Sequence, residues 1–283
     1  MTDFLGRVVR ERQADVKVAI GRVPEPELMA NARRHPVANA LGDSGFTAHP
    51  SGDAFTAALR QRRNEGRLAV IAEVKRVSPA LGVVGDAIDP AFQALRYAAA
   101  GATAISVLTE PRHWGGSLAD LAAVRGAVKI PVLRKDIIVD EYQLVEARAA
   151  GADAVLLIAE ALDDVLLHQL VARAVRIGLG VIVEAHEPVA FGRAAATAAR
   201  VVGVNARDLR DPKVIDIGRA MQLHMFARSD QILVAESGIA SVDDARLLPA
   251  RVDAVLVGTA LMQAADPAPL IRALASIKRP VSV

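Results

Sequence analysis

The stretch AAAGATAISVLTE, residues 98–110, reads as a helix end, a glycine turn and a short apolar strand. It returns as RAAGADAVLLIAE at 148–160 and more faintly as LPARVDAVLVGTA at 248–260. A glycine directly behind an Ala-rich run is the usual residue just past a helix C-terminus, and a strand that begins two residues later is the second half of an αβ step. Working outward, the same apolar run recurs as LAVIAEV (68–74), TAISVL (103–108), PVLRK (131–135), DAVLLI (153–158), GVIVEA (180–185), VVGVN (201–205), ILVAES (232–237) and DAVLVG (253–258). Segments such as DPAFQALRYAAAGA (89–102) and DEYQLVEARAAGA (140–152) lie between them with helical spacing of apolar residues. Strand followed by helix, eight times over, needs right-handed crossovers and a sheet covered on both faces, which a closed barrel and an open doubly wound sheet both provide. No Gly-rich dinucleotide loop follows the first run, which favours the barrel. The expected fold is therefore α/β: a (β/α)8 TIM barrel with an N-terminal helical extension.

The chain has 283 residues, a length that suits one such barrel of ~250 residues plus an extension. Residues 1–66 are expected to form the helical extension, packed on a catalytic barrel of residues 67–283, the whole making a single domain. Apolar residues in FLGRVVRERQADVKVAI (4–20) fall on one side of a helix. Pro24, Pro26, Pro36 and Pro50 are expected in connectors between short helices, and the Ala-rich GRAAATAAR (192–200) reads as a helix. With 52% hydrophobic but only 3% aromatic residues, the core must be built of Ala, Val, Leu and Ile, as buried parallel strands require. A net charge of +2 offers no field for a nucleic-acid backbone or an acidic membrane surface, so neither partner is expected. Absence of cysteine excludes disulfides and thiolate chemistry. No signal-peptide pattern and no charge-free run of membrane-spanning length is present, so a cytoplasmic protein is expected. The histidines show no metal-ligand spacing, and no metal is expected.

Barrels of this kind build their active sites at the C-terminal ends of the strands, so what each run ends with is the test. The first ends in Glu73 and Lys75, two apart and hence on one face. The third ends in Lys135, followed by Asp136; the fifth in Glu184; the sixth in Asn205, then Arg207; the seventh in Glu236 and Ser237; the eighth in Gly258 and Thr259. Glu73 and Lys75 alone would fit a buried structural ion pair. Joined by Lys135, Glu184 and Glu236 in one low-dielectric mouth, they would shift one another's protonation, as general acid-base chemistry requires. ESGI (236–239) and VGTALM (257–262) set a glycine beside a hydroxyl residue after the last two strands, where barrels often bind phosphate. Asp153 and Asp253, at strand starts, are expected to be structural. His186 reads as a loop or wall residue, and Trp114 in WGGS (114–117) as either a pocket wall or a packed lid.

These residues carry a resemblance to indole-3-glycerol phosphate synthases over nearly the whole chain: IAEVKRVSP (71–79), SVLTE (106–110) with GGS (115–117), PVLRKD (131–136), YQLVEARAAGADAVLLI (142–158), VIVEAH (181–186), GVNARDL (203–209), AESGI (235–239) and VGTALM (257–262). The resemblance implies a β/α barrel with extra N-terminal helices and a phosphorylated small-molecule substrate, 1-(2-carboxyphenylamino)-1-deoxyribulose 5-phosphate. The product is indole-3-glycerol phosphate, with carbon dioxide and water released. It further implies Lys135 as general acid in ring closure, assisted by Glu184; Glu73 and Lys75 in acid-base steps that include dehydration; and Asn205 and Glu236 as orienting groups. Arg207, Ser78 and Trp114 would lie near the substrate, and Ser237, Gly238, Gly258 and Thr259 would cradle its phosphate. No cofactor is implied, and a monomer is the default expectation. Attack of an aromatic carbon on a ketone needs its oxygen protonated, which suits a lysine whose ammonium burial destabilises.

The chain departs from the family pattern at Ala80 and Leu81, in a loop that closes over substrate, at Ile137, where the family usually has Phe, and at Ala206. Trp114 stands where Phe is common and would compensate for the ring missing at Ile137. Competing readings are another phosphate-binding barrel enzyme, such as a sugar-phosphate isomerase or a paralogue acting on a substituted anthranilate derivative, and a barrel kept only as a binding partner. Phosphoribosylanthranilate isomerase relies on a Cys that this chain lacks, and intact Lys135, Glu184, Glu73 and Lys75 speak against a non-catalytic barrel.

Overall fold

The computed structural model describes residues 3–34, 54–85 and 88–280. Helices α1 (Phe4–Arg22), α2 (Glu25–Arg34) and α3 (Ala54–Asn64) precede β1 (Ala69–Val74) and a small hairpin, β2 (Val77–Ser78) with β3 (Gly82–Val83). Strands and helices then alternate: α4 (Pro90–Ala99), β4 (Ala104–Leu108), α5 (Leu118–Ala127), β5 (Val132–Lys135), α6 (Glu141–Ala149), β6 (Ala154–Ile158), α7 (Asp164–Arg176), β7 (Gly180–Ala185) and α8 (Pro188–Ala196). The chain continues through β8 (Val201–Asn205), α9 (Arg219–Leu223), β9 (Ile232–Glu236), α10 (Val242–Leu247), β10 (Ala254–Val257), α11 (Thr259–Gln263) and α12 (Ala268–Ala275). All strands but the hairpin pair in parallel, and β1 meets both β4 and β10, closing the (β/α)8 barrel. Each of the eight barrel strands falls within a run that the sequence marks.

Period-2 alternation sorts the strand residues into two cores. Ala69, Ile71, Leu133, Leu156, Ile182, Val234 and Leu256 fill the lumen. Their neighbours Val70, Ala72, Val132, Val155, Leu157, Val183 and Val255 face the helices. Leu133 is fully buried in the lumen. Leu133→Ala is expected to cost about 2–5 kcal/mol in urea unfolding, and a change near zero would show that the lumen is not close-packed.

Asp153 and Asp253 act as staples below the barrel. The Asp153 carboxylate accepts from the Val132 N–H at 2.8 Å and pairs with Arg125 at 2.6 Å; Asp253 accepts from Leu233 N–H at 2.8 Å and pairs with Arg251 at 2.6 Å. Helix α3 seals this lower end with Phe55 and Leu59, both fully buried, and Arg63 donates to the Gln231 carbonyl at 3.2 Å.

Helix α1 lies at the opposite end. Its buried residues, Leu5, Val8, Arg12 and Val16, follow helical spacing, and Leu5 and Val8 join the lumen cluster with Ile137 and Ile158. Loops beyond the C-terminal strand ends and the first turn of α6 hold it. Phe4 N–H donates to the Arg210 carbonyl at 3.2 Å, the Tyr142 hydroxyl to the Val23 carbonyl at 2.9 Å, and Arg112 pairs with Asp15.

Two local expectations are corrected, and one element is new. Pro26 is inside the first turn of α2, where a missing N–H costs no hydrogen bond, although Pro24 does sit between α1 and α2; Pro36 and Pro50 lie outside the described residues. The Ala-rich segment stops being helical at Ala196, because the Thr197 hydroxyl donates back to the Ala194 carbonyl at 2.7 Å and accepts from Ala199 N–H at 3.2 Å, competing with the helix ladder. The β2–β3 hairpin has no counterpart in the sequence reading; it turns at Gly82, whose φ of 74° favours glycine.

Candidate active site

At the top of the lumen the apolar layers give way to charge. Glu73, Lys75, Lys135, Glu184, Asn205, Arg207, Ser237, Gly238, Gly258, Thr259 and Trp114 all line one cavity of about 280 Å³. Strand parity explains the convergence: Ile71 and Leu133 face the lumen, so Glu73 and Lys75 above the first and Lys135 above the second do as well. Register then places Glu184 beside Gly203 and Asn205 beside Glu236.

The contacts form two linked ion-pair groups. Lys75 Nζ lies 2.8 Å from Glu73 Oε1. Lys135 Nζ lies 2.6 Å from Glu236 Oε2 and 3.3 Å from Glu184 Oε2. Asn205 orients the second group: its Nδ2 donates to Glu184 at 3.3 Å, while its Oδ1 accepts from the Ser237 hydroxyl at 2.8 Å and the Arg207 N–H at 3.0 Å. Ser237 holds φ of 67°, strained backbone for a residue with a side chain, and Gly238 follows at 75°.

Burial works against charge on Lys135, but Glu184, Glu236 and Glu73 together outweigh it and hold the ammonium protonated well beyond the usual lysine range. This corrects the expectation of a lysine destabilised by burial: burial is there, and three carboxylates reverse its effect. Glu73 shows the same balance with opposite charge. Burial would raise its pKa, and Lys75, Lys135 and Arg207 bring it below the ordinary value. Glu236 goes the other way: burial and the nearby Glu184 push it up to about 8 despite Lys135.

Glu236 therefore binds its proton more tightly in the folded chain than in the unfolded one. Its contribution to stability is present in full below the ordinary 4.5 and is lost as pH rises through about 8. The melting temperature of the wild type minus that of Glu236→Gln is expected to fall by about 2–4 °C or more between pH 5 and pH 8.5, measured by calorimetry. A difference independent of pH would mean that Glu236 is already ionised at pH 5.

Two glycines make the crowding possible. A Cβ on Gly203 would overlap Glu236 Oε1, and one on Gly258 would overlap Glu73 Oε1 and come within 2.9 Å of Lys75 Nζ. Gly203 escaped the sequence reading, although its spacing from Asn205 puts both on the lumen face. Glu110 escaped it as well. This fully buried cavity residue accepts from the N–H groups of Arg112, His113 and Trp114 at 3.0, 2.6 and 3.0 Å, and so shapes the loop that carries Trp114.

Trp114 is a wall, packed edge-on against Phe4 of α1 with ring centroids 5.9 Å apart. Leu81 and Ile137 line the cavity too. Ser78 does not: it is buried in β2, outside the lining. Arg207 reaches the rim while its guanidinium donates to the Pro212 carbonyl. His186 is off the cavity, its Nδ1 2.8 Å from the Asn205 carbonyl.

His186, Glu187 and Asp208 bring ligand atoms within 4.8 Å of one another. Arg210 already neutralises Glu187 at 2.7 Å and Asp208 at 2.8 Å, and Arg219 lies 3.2 Å from His186 Nε2, so this cluster is an ion-pair network rather than a cation cage.

The family model for indole-3-glycerol phosphate synthase matches residues 9–274. Indole-3-glycerol phosphate synthase 2 of Streptomyces coelicolor is 44% identical over 91% of this chain and 98% of its own. The indole-3-glycerol phosphate synthase of Desulfosudis oleivorans is 39% identical over 97% and 99%, and that of a Nocardioides species 51% identical over 74% and 81%. Among solved structures, tryptophan synthase subunit alpha from Legionella pneumophila superposes with a TM-score of 0.57 at 14% identity, over 79% of this chain and 97% of its own, a likeness of fold alone.

Proposed function

This chain belongs to the indole-3-glycerol phosphate synthase family, and from that premise we propose how its barrel mouth turns 1-(2-carboxyphenylamino)-1-deoxyribulose 5-phosphate into indole-3-glycerol phosphate, carbon dioxide and water. The enzyme is a carboxy-lyase of tryptophan biosynthesis. The observation that carries the assignment of roles is the charged Lys135, fixed between Glu184 and Glu236 and facing the cavity.

Attack of the aromatic ring carbon on the substrate ketone puts negative charge on the ketone oxygen. Lys135 donates its proton there as the carbon–carbon bond forms, and the surrounding carboxylates keep it loaded for that step. Breaking the bond to the carboxyl carbon releases carbon dioxide and leaves its electron pair in the ring, restoring aromaticity. Dehydration then requires an acid at the departing hydroxyl and a base for the remaining proton. The paired Lys75 and Glu73 supply these, Glu73 being held ionised by its cationic neighbours. Asn205 and Glu236 hold Glu184 and Lys135 in register.

The loops at Ser237–Gly238 and Gly258–Thr259 flank one side of the cavity, and there the substrate phosphate would be cradled, with Arg207 and Lys75 adding positive charge. Ser78 would bear on the substrate only through the β2–β3 hairpin, whose Leu81 reaches the cavity. The apolar wall of Trp114, Ile137, Leu156 and Leu256 suits the anthranilate ring. The chemistry needs no metal or cofactor.

We further treat residues 1–66 as a helical extension of a barrel running over 67–283, and the enzyme as a cytoplasmic monomer. Among the described residues no helix is long and apolar enough to cross a membrane. Indole fluorescence on mixing the purified chain with the carboxyphenylamino-deoxyribulose phosphate, with one carbon dioxide released per product, is the expected result. Binding without turnover would move attention to a substituted anthranilate derivative, with Leu81 and Ile137 in the wall and Ala80 next to Leu81 as the altered positions.

A further inference from the structure

We propose that Arg12, on the N-terminal helix, is a positioning residue for the reaction: its buried ion pair with Asp136 fixes the end of β5 and thereby aims Lys135. The inference rests on the reading of Lys135 as the general acid.

Alternation sends Lys135 into the lumen and its neighbour Asp136 to the other side of the strand end, beneath α1. The Asp136 side chain is wholly buried, and four groups donate to it. Arg12 Nη2 does so at 3.0 Å, Arg134 Nη2 at 2.8 Å, the Thr109 hydroxyl at 2.7 Å and the Ile137 N–H at 2.8 Å. Thr109 also donates its backbone N–H to the Lys135 carbonyl at 2.9 Å. The peptide joining residues 135 and 136 is thus gripped from both sides. Arg134 extends the grip by donating to the Gln143 carbonyl at 2.6 Å, at the start of α6.

Arg12 is the member of this set contributed from outside the barrel, and it is buried as well. A guanidinium hidden on a helix that otherwise docks through Leu5, Val8 and Val16 needs a reason, since apolar packing alone would hold α1 more cheaply. Arg12 Nη1 also lies 3.3 Å from Asp15 on its own helix, and the partner it reaches in the barrel provides the reason. Asp136 is the residue next to the acid, and an ion pair without water around it has little angular freedom. Shifting Lys135 by about an ångström is enough to cost roughly 10²-fold in rate. Helix α1 is in this view part of the catalytic apparatus and more than a cover.

Steady-state kinetics and melting temperatures of the full chain test this. Arg12→Met, which keeps an unbranched apolar stem and removes the guanidinium, is expected to lower kcat about 10- to 100-fold while KM moves by less than about threefold. Arg12→Lys, which restores a charge near Asp136, is expected to recover most of that loss. Tyr142→Phe removes a different α1 anchor, the hydroxyl bound to the Val23 carbonyl, and is expected to lower the melting temperature without changing kcat.

Retention of wild-type kcat by folded Arg12→Met would overturn the proposal, as would an equal kcat loss in Tyr142→Phe or no advantage of Arg12→Lys over Arg12→Met. If Arg12→Met does not fold, Thr109→Val takes its place; it strips one hydroxyl from the same carboxylate and keeps the N–H on Lys135. About a tenfold fall in kcat at unchanged KM is then expected, and an unchanged kcat overturns the proposal. Lys135→Met is run alongside. An active Lys135→Met defeats the reading of the site itself, whereas an inactive Lys135→Met with a fully active Arg12→Met defeats only the role of Arg12.

Discussion

Lys135→Met is expected to lower kcat by about 10³–10⁴-fold with KM changed only a few-fold. Methionine fills the same slot between β5 and its neighbours but has no proton to give. What disappears is therefore an interaction made as charge develops on the ketone oxygen, and the phosphate and aromatic contacts that set ground-state binding remain. Lys135→Arg is expected to recover little. A guanidinium is planar, holds its proton more tightly and does not fit between Glu184 and Glu236, which lie 3.3 and 2.6 Å from the present ammonium. Product formation followed by fluorescence under saturating substrate measures the effect. A kcat within tenfold of wild type in Lys135→Met would remove Lys135 from the acid role and leave Lys75 as the remaining lysine in the cavity.

Gly258→Ala is expected to lower kcat/KM by about 10²-fold or more while leaving the fold in place. The φ of Gly258, −122°, lies outside the left-handed region that demands glycine, so the added methyl acts through what it meets. Its Cβ would fall on the buried Glu73 carboxylate and close to the half-buried Lys75 Nζ, and the ion pair would have to part. Displaced from each other in a dry site, the two charges lose the interaction that keeps Glu73 ionised. The measurement is kcat/KM together with circular dichroism. Wild-type activity in a folded Gly258→Ala would mean that the close pairing of Glu73 and Lys75 is not needed for the reaction.

How far the sequence reaches depends on whether a feature is carried by one strand or by several. Alternation within LAVIAEV and VIVEA is local, and it put Glu73, Lys75 and Glu184 on the lumen face without any knowledge of the neighbours. The same rule applied to VVGVN would have exposed Gly203 as the gap beneath Glu236, since residues 203 and 205 share a face. The protonation of Lys135 was not legible in this way. Its sign depends on carboxylates delivered by β1, β7 and β9, and only their summed attraction decides against burial. Nor was the place of α1: an amphipathic stripe announces that a face is buried, and what it covers is set by partners such as Asp136 and Tyr142, more than a hundred residues away. The motif around Trp114 suits a wall or a lid equally, and it is Phe4, more than a hundred residues earlier, that packs against its ring and fixes it as a wall. Ser78 shares its motif with Glu73 and Lys75, which line the cavity, while Ser78 itself is buried in β2 outside the lining, a difference that only the fold after Val74 decides.

The central claim is that Lys135 meets the substrate as a charged acid because Glu184 and Glu73, joined by Glu236 as it ionises near pH 8, hold its proton. Nitrogen-15 NMR of the lysine ε-amino groups, with Lys135 assigned by its loss in Lys135→Met, reads that protonation state directly. The account predicts an ammonium signal for Lys135 that persists to about pH 10 and beyond, past the ordinary lysine range, for as long as the chain stays folded. A Lys135 signal that titrates to the neutral amine near pH 7–8 would contradict it.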